Sequence, residues 1–120
     1  MIEITEYVSQ TQVNPFRKWF DALDSQTATI IAIGLARLGE GNVSRVEPIG
    51  EGASELKINR GPGFRIYFGW DGKTLVVLLG GGTKHQQQSD IASALRCWRD
   101  YKARRGKTGI PPRKAYSSEG

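Results

Sequence analysis

The sequence predicts a small α+β domain: an N-terminal strand, a helical hairpin, a three-stranded antiparallel meander and a C-terminal helix. Three observations carry this prediction. Apolar residues recur at helical spacing through "VNPFRKWFDAL" and the segment after it. Three strand-like runs, "ELKIN", "FRIYFGW" and "TLVVLLG", follow in quick succession, with turn-forming "RGPG" and "DGK" between them. The length, 120 residues, suits one domain.

In "IEITEYV", Ile2 and Ile4 alternate with Glu3 and Thr5, which reads as a short strand. Asn14 can cap the helix that follows, and Pro15 suits its first turn, where a missing N–H costs nothing. Phe16, Trp19, Phe20 and Leu23 form one apolar stripe and belong to the core. A second helix has Asp24 or Ser25 as its cap, Ala28, Ile31, Leu35 and Leu38 as its buried face, and Gly39 or Gly41 at its end. The short link between the two helices makes them an antiparallel hairpin.

"GEGNVSRVEPIGEGAS" reads as a loop before the meander. The last meander strand is apolar at every position from Leu75 to Leu79, so it should be central and buried on both faces. The final helix carries Ile91, Ala94, Leu95, Trp98 and Tyr101 on one face and runs to about Tyr101. Residues 103–120, rich in Gly, Pro, Ser and cations, are read as a basic flexible tail, leaving 1–102 as the domain.

Charge is unevenly placed. Residues 1–83 hold 8 Lys/Arg against 9 Asp/Glu, a net of −1; residues 84–120 hold 9 against 3, a net of +6. Such asymmetry points to an anionic partner, most simply nucleic acid. The single cysteine, Cys97, excludes an internal disulfide and fits a reducing compartment. "MIEITEYVSQ" has no basic leader region, and no segment approaches the length of an apolar membrane span. A soluble cytoplasmic protein with no membrane partner is therefore expected.

Alternation sorts the meander into faces. Leu56, Ile58, Phe64, Ile66 and Phe68 should share the helix-covered side. Glu55, Lys57, Asn59, Arg65 and Tyr67 should then lie together on an open side. A five-residue loop over 59–63 would set Lys57 opposite Arg65; a three-residue loop over 61–63 would set Lys57 opposite Tyr67. Both registers keep a basic pair beside a phenol. Like charges across a strand pair repel, and either a polyanion or Glu47 and Glu55 could relieve that repulsion.

The "GGG" after the apolar strand allows a sharp turn and close approach of another group. Thr83 and Gln86 have capping-box spacing, which would start the last helix there or at Gln86 and place Lys84 and His85 at its positive end. No spacing of His, Cys and carboxylates suits a metal site, and no nucleotide-enzyme phosphate loop is present. No cofactor and no metal are expected.

"NPFRKWFDAL", "ARLGEGN", "VEPIGEGASELKI", "GPGFRIYF" and "LVVLLGGGTK...DIASA" resemble the addiction-module killer proteins of the RelE/HigB toxin superfamily. The resemblance covers about residues 1–100. It implies a RelE-like fold related to microbial ribonucleases, and the toxin of a type II toxin–antitoxin pair. Members typically cleave mRNA, often on the ribosome, and are silenced by a cognate antitoxin, in this subfamily commonly a helix-turn-helix protein. By the same resemblance Arg65 faces the scissile phosphate, with Lys57 and Lys84 as further basic residues of the site. His85 stands near the strand end where some members use a histidine, and Glu47 matches a glutamate that is the base in some relatives. Arg60, Tyr67, Arg96 and Arg99 are the accompanying RNA-binding candidates. The implied chemistry is metal-independent: the RNA's own 2′-hydroxyl attacks the adjacent phosphate. Two alternatives share the fold: a ParE-like inhibitor of DNA gyrase, and a non-catalytic module that binds nucleic acid or antitoxin.

Overall fold

The computed structural model describes residues 1–108 and 115–116. Strand β1 (Glu3–Glu6) leads into helices α1 (Pro15–Asp21) and α2 (Ser25–Gly39). Four strands follow: β2 (Val46–Gly50), β3 (Ala53–Ile58), β4 (Phe64–Asp71) and β5 (Leu75–Thr83). A 3₁₀ turn (Lys84–Gln86), helix α3 (Gln87–Thr108) and a two-residue strand β6 (Ala115–Tyr116) complete the order. The strands form one mixed sheet in the order β2-β3-β4-β5-β1-β6. β1 runs parallel to β5, and the other pairings are antiparallel. Among the described residues no helix is long and apolar enough to cross a membrane.

The local signals act as the sequence reading expects. Asn14 Oδ1 accepts from the Arg17 N–H at 3.0 Å, and Pro15 opens α1. Asp24 precedes α2, although its side chain makes no capping bond. Val76 to Leu79 are almost wholly buried, as a central strand requires. The β3–β4 register sets Lys57 opposite Arg65 and Glu55 opposite Tyr67, so the five-residue loop over 59–63 is the one adopted. That loop places Gly61 and Gly63 at positive φ, which only glycine adopts without strain.

Four features differ from the sequence reading. The stretch read as a loop contains β2, so the meander has four strands rather than three. Pro48 hides it, because proline lacks the N–H of a central strand; β2 is the sheet edge, where proline is tolerated. α3 continues past Tyr101 to Thr108, and Ala115–Tyr116 pair with β1 inside the segment read as a flexible tail. The rest of that tail, 109–114 and 117–120, lies outside the described residues.

The third difference concerns the glycines. They do not follow β5 but lie within it, with Gly80, Gly81 and Gly82 opposite Tyr67, Ile66 and Arg65. A β-carbon on Gly81 would stand 2.3 Å from the Trp19 ring, and one on Gly82 would stand 2.0 Å from Asp90 Oδ2. The strand is bare so that groups from both layers can rest on its backbone.

The fourth concerns the faces. α1 and α2 cover one side of the sheet, where Phe16, Ile31, Leu38, Leu56, Ile66 and Phe68 pack together. The other side is not open. Ala94, Trp98 and Tyr101 of α3 pack there on Tyr67, Val77 and Leu79. Trp98 rests on Gly69, where a β-carbon would stand 2.3 Å away, and its Nε1 donates to the Glu51 carbonyl at 2.7 Å. α3 has an apolar stripe to bury, and the second face of the sheet is where it does so.

Candidate nucleic-acid interface

Lys57, Arg65 and Lys84 come together at one end of the sheet. Lys57 and Arg65 are directly opposed on β3 and β4, so their side chains leave the same face. Lys84 is anchored beside them by its N–H, which donates to the Gly63 carbonyl at 3.0 Å. Lys84 Cβ and Arg65 Nη1 stand 3.4 and 3.9 Å from the point that a β-carbon on Gly63 would occupy. Strand pairing, a glycine turn and the β5–α3 junction thus bring three cations to the 59–63 loop.

These cations differ in access. Lys84 and His85 are exposed in the 3₁₀ turn, and Arg60 is exposed in the 59–63 loop. Lys57 is partly exposed and forms an ion pair with Glu47 across β2 and β3. Arg65 is only 6% exposed, which corrects its place on an open face. Asp90, at the start of α3, rests on Gly82, the residue opposite Arg65. Arg65 Nη1 donates to the Phe64 carbonyl at 3.2 Å, and its Nε stands 3.9 Å from Glu55 Oε2. Each strand cation therefore has a carboxylate beside it, which relieves the Lys57–Arg65 repulsion.

Beneath the rim lies a buried polar cluster. Glu55, itself buried, accepts from Gln87 Nε2 at 2.8 and 3.0 Å. Arg65 Nε, Tyr67 Oη and Asp90 Oδ2 are buried without a hydrogen-bond partner. Burial, then the charges of Glu55 and Asp90, pushes the Tyr67 hydroxyl well above the usual tyrosine range. Burial likewise raises the Asp90 carboxyl above the aspartate norm. Tyr67 is 1% exposed, so it offers no ring to a nucleic-acid base, contrary to its sequence assignment. Its phenol is a core residue under α3.

Arg96 and Arg99 do not join this group. Arg99 donates to both carboxylate oxygens of Glu51, at 2.8 and 2.5 Å, in the β2–β3 turn. That turn lies at the far end of β3 from Asn59, about 20 Å away at strand rise. Arg96 is exposed and donates to Ser93 Oγ at 3.0 Å. Thr83 precedes the 3₁₀ turn without a side-chain capping bond, and the Lys84 N–H is already engaged by Gly63. Lys84 therefore contributes its ammonium, not a vacant amide.

Asp90 and Gln87 are the site neighbours that sequence reasoning missed. One signal was available for Asp90: a glycine inside a buried strand marks a close approach, and a polar residue one turn into the next helix is a natural visitor. Burial raises the Cys97 thiol as well, which suits a thiol packed against the sheet rather than a nucleophile. Among the described residues no three His, Cys, Asp or Glu side chains gather closely enough to hold a metal ion.

No family model matches the chain. It is similar to an uncharacterized protein of Haemophilus influenzae, with 35% identity over 80 residues, which is 66% of this chain and 81% of that protein. At this identity and coverage the chain belongs to the same family as that Haemophilus influenzae protein.

Proposed function

We propose that the protein is the toxin of a type II toxin–antitoxin module, of the RelE/HigB kind, and acts as a metal-independent mRNA endoribonuclease. The observation that carries the reading is the convergence of Lys57, Arg65 and Lys84 on one face around the 59–63 loop. A small α+β domain with a helical hairpin before an antiparallel meander supports it. So does the excess of positive charge from Lys84 onward.

In this mechanism the 2′-oxygen of the RNA attacks the adjacent phosphorus, and the bond to the 5′-oxygen breaks. The products are a cyclic phosphate and a free 5′-hydroxyl. His85 or Glu47 takes the 2′ proton, and Lys84 protonates the leaving oxygen. Lys84, Lys57 and Arg60 meet the phosphate at the surface. Arg65 adds positive charge from beneath, where burial weakens solvent screening. One oriented donor of this kind is worth about 100-fold or more in rate. The ribosome would orient the mRNA over so sparse a site, and a helix-turn-helix antitoxin would silence it in the cytoplasm.

The test is mRNA cleavage by purified protein, with and without ribosomes, with the new ends mapped. Wild type should yield cyclic phosphate ends, and Lys84→Ala and Arg65→Gln, which removes the buried charge, should each lose about 100-fold. Equal cleavage by all three removes the site. Intact mRNA together with gyrase-trapped DNA breaks moves the chain to the ParE-like reading. The non-catalytic module is favoured by one observation: Glu47 is already paired with Lys57, and Glu55 already faces Arg65. RNA binding without any cleavage, by wild type on ribosomes, selects it.

A further inference from the structure

A second basic feature lies on the other side of Lys57. α2, the 42–45 segment and the outer end of β3 enclose a groove of about 300 Å³. That is at the small end of the range for binding clefts, roughly 300–1,000 Å³. Its cations are Arg37, Arg45, Lys57 and Arg60, and no Asp or Glu lines it. Lys57 is held by Glu47, but Arg37, Arg45 and Arg60 form no ion pair among the described residues. The rim therefore carries positive charge that this fold does not neutralise.

The floor is aliphatic: Ile30, Ile33, Leu56 and Ile58. Ile33 is 46% exposed, and Val43, in the adjoining loop, is 48% exposed. Exposed aliphatics gathered under a charged rim mark an interaction surface. The walls are preformed, because Gly34 lets Ile58 nest directly on α2, where a β-carbon would stand 2.8 Å from Ile58 Cδ1. No aromatic residue lines the groove. Single-stranded nucleic acid is held by bases stacked on aromatic rings, so this floor suits aliphatic side chains instead.

We propose that this groove binds an acidic segment of a partner protein, with aliphatic side chains seated on Ile33 and Ile58 and carboxylates meeting Arg37 and Arg45. Charge complementarity selects the sign of the partner, and the aliphatic floor selects peptide over RNA. The proposal does not depend on the RNA-cleavage reading, and its test uses no RNA cleavage, so either can fail alone.

The test is fluorescence anisotropy of a labelled peptide of Leu and Glu, with Leu at helical i, i+3, i+4 and i+7 spacing. Saturable binding is expected. Arg37→Glu, Arg45→Glu and Ile33→Asp, all at exposed positions, should each weaken it about tenfold while leaving the unfolding midpoint in place. A peptide of the same composition with scattered Leu should bind at least tenfold more weakly, and one with Lys for Glu should not bind. Four results overturn the proposal. These are no binding of the Leu/Glu peptide, binding that ignores the three substitutions, and displacement of the peptide from Arg37 and Arg45 by oligouridylate. The fourth is self-association that Arg37→Glu abolishes, which would assign the groove to a second copy of the chain.

Discussion

The carboxylate of Asp90 rests on the backbone of Gly82. A β-carbon on that glycine would stand 2.0 Å from Oδ2 and 3.0 Å from the carboxyl carbon. The same Oδ2 is buried without a hydrogen-bond partner. Arg65 is the residue opposite Gly82 on β4. One glycine thus admits the start of α3 to the sheet directly above the buried cation.

The three consecutive glycines should respond differently to alanine. Gly81→Ala meets the packed Trp19 ring at 2.3 Å and should cost about 1–3 kcal/mol. Gly80→Ala meets nothing within 4 Å, and should be neutral or stabilise by up to about 1 kcal/mol through the unfolded chain. Gly82→Ala should cost less than Gly81→Ala, because the short Asp90 side chain can swing out to solvent. Urea unfolding with an unchanged m-value measures all three, and equal losses would refute this ordering.

Asp90 should contribute more stability in acid than at neutral pH. Burial raises its carboxyl above the ordinary aspartate value of 3.8. A raised carboxyl means that the folded state holds the proton more tightly than the unfolded state. The contribution is then fully present below pH 3.8 and is lost as pH rises through the folded value. Asp90→Asn should raise stability at neutral pH and flatten the profile above pH 3.8. Gly82→Ala, by expelling the carboxylate, should flatten it too, so the two substitutions should be non-additive in a double-mutant cycle. Additive effects would separate Asp90 from Gly82.

Among the buried tyrosines the hydroxyls are not equivalent. Tyr7 donates to Asp100 at 2.6 Å and Tyr101 donates to Asp71 at 2.6 Å, whereas Tyr67 Oη has no partner. Tyr7→Phe and Tyr101→Phe should each cost about 1–2 kcal/mol. Tyr67→Phe should be neutral or stabilising, since it removes a hydroxyl that is desolvated without return. A loss at Tyr67 as large as at Tyr7 would show that its hydroxyl has a partner in solution.

Glu6 should be sensitive to the loss of its cation. It is fully buried and accepts from Arg17 Nη2 at 2.5 Å and from Asn14 Nδ2 at 2.6 Å. Arg17→Ala removes its cation and should cost about 3–5 kcal/mol, the usual result of stranding a buried charge. Glu6→Gln keeps the shape and removes the charge, so combining it with Arg17→Ala should recover much of that loss. Asn14→Ala, which also deletes the α1 cap, should cost about 1–2 kcal/mol. Thermal unfolding of the single and double variants checks the coupling; a double variant no better than Arg17→Ala alone would contradict it.

Short-range chemistry was legible in the residues. Asn14 before Pro15 marked the start of α1 because a cap and a ring-locked φ act within one turn. The run Leu75–Leu79 marked a central strand because a segment apolar on both sides must be covered on both sides. The alternation of β3 and β4 put Lys57 and Arg65 on one face in either permitted register. β2 is not legible locally, because Pro48 is a breaker everywhere except at a sheet edge, and edge position is not a local property.

Which side chains share a face is written in the residues, since backbone pleating sets it over a few positions. What covers each face is settled by packing between distant segments. The apolar stripe of α3 is plain in the sequence, but its landing on Tyr67, Val77 and Leu79 buries Arg65 and Glu55 and leaves Lys84 at the rim. That choice is made by long-range burial of apolar surface, which rewards a helix for closing the second side of a sheet, and no local propensity encodes it.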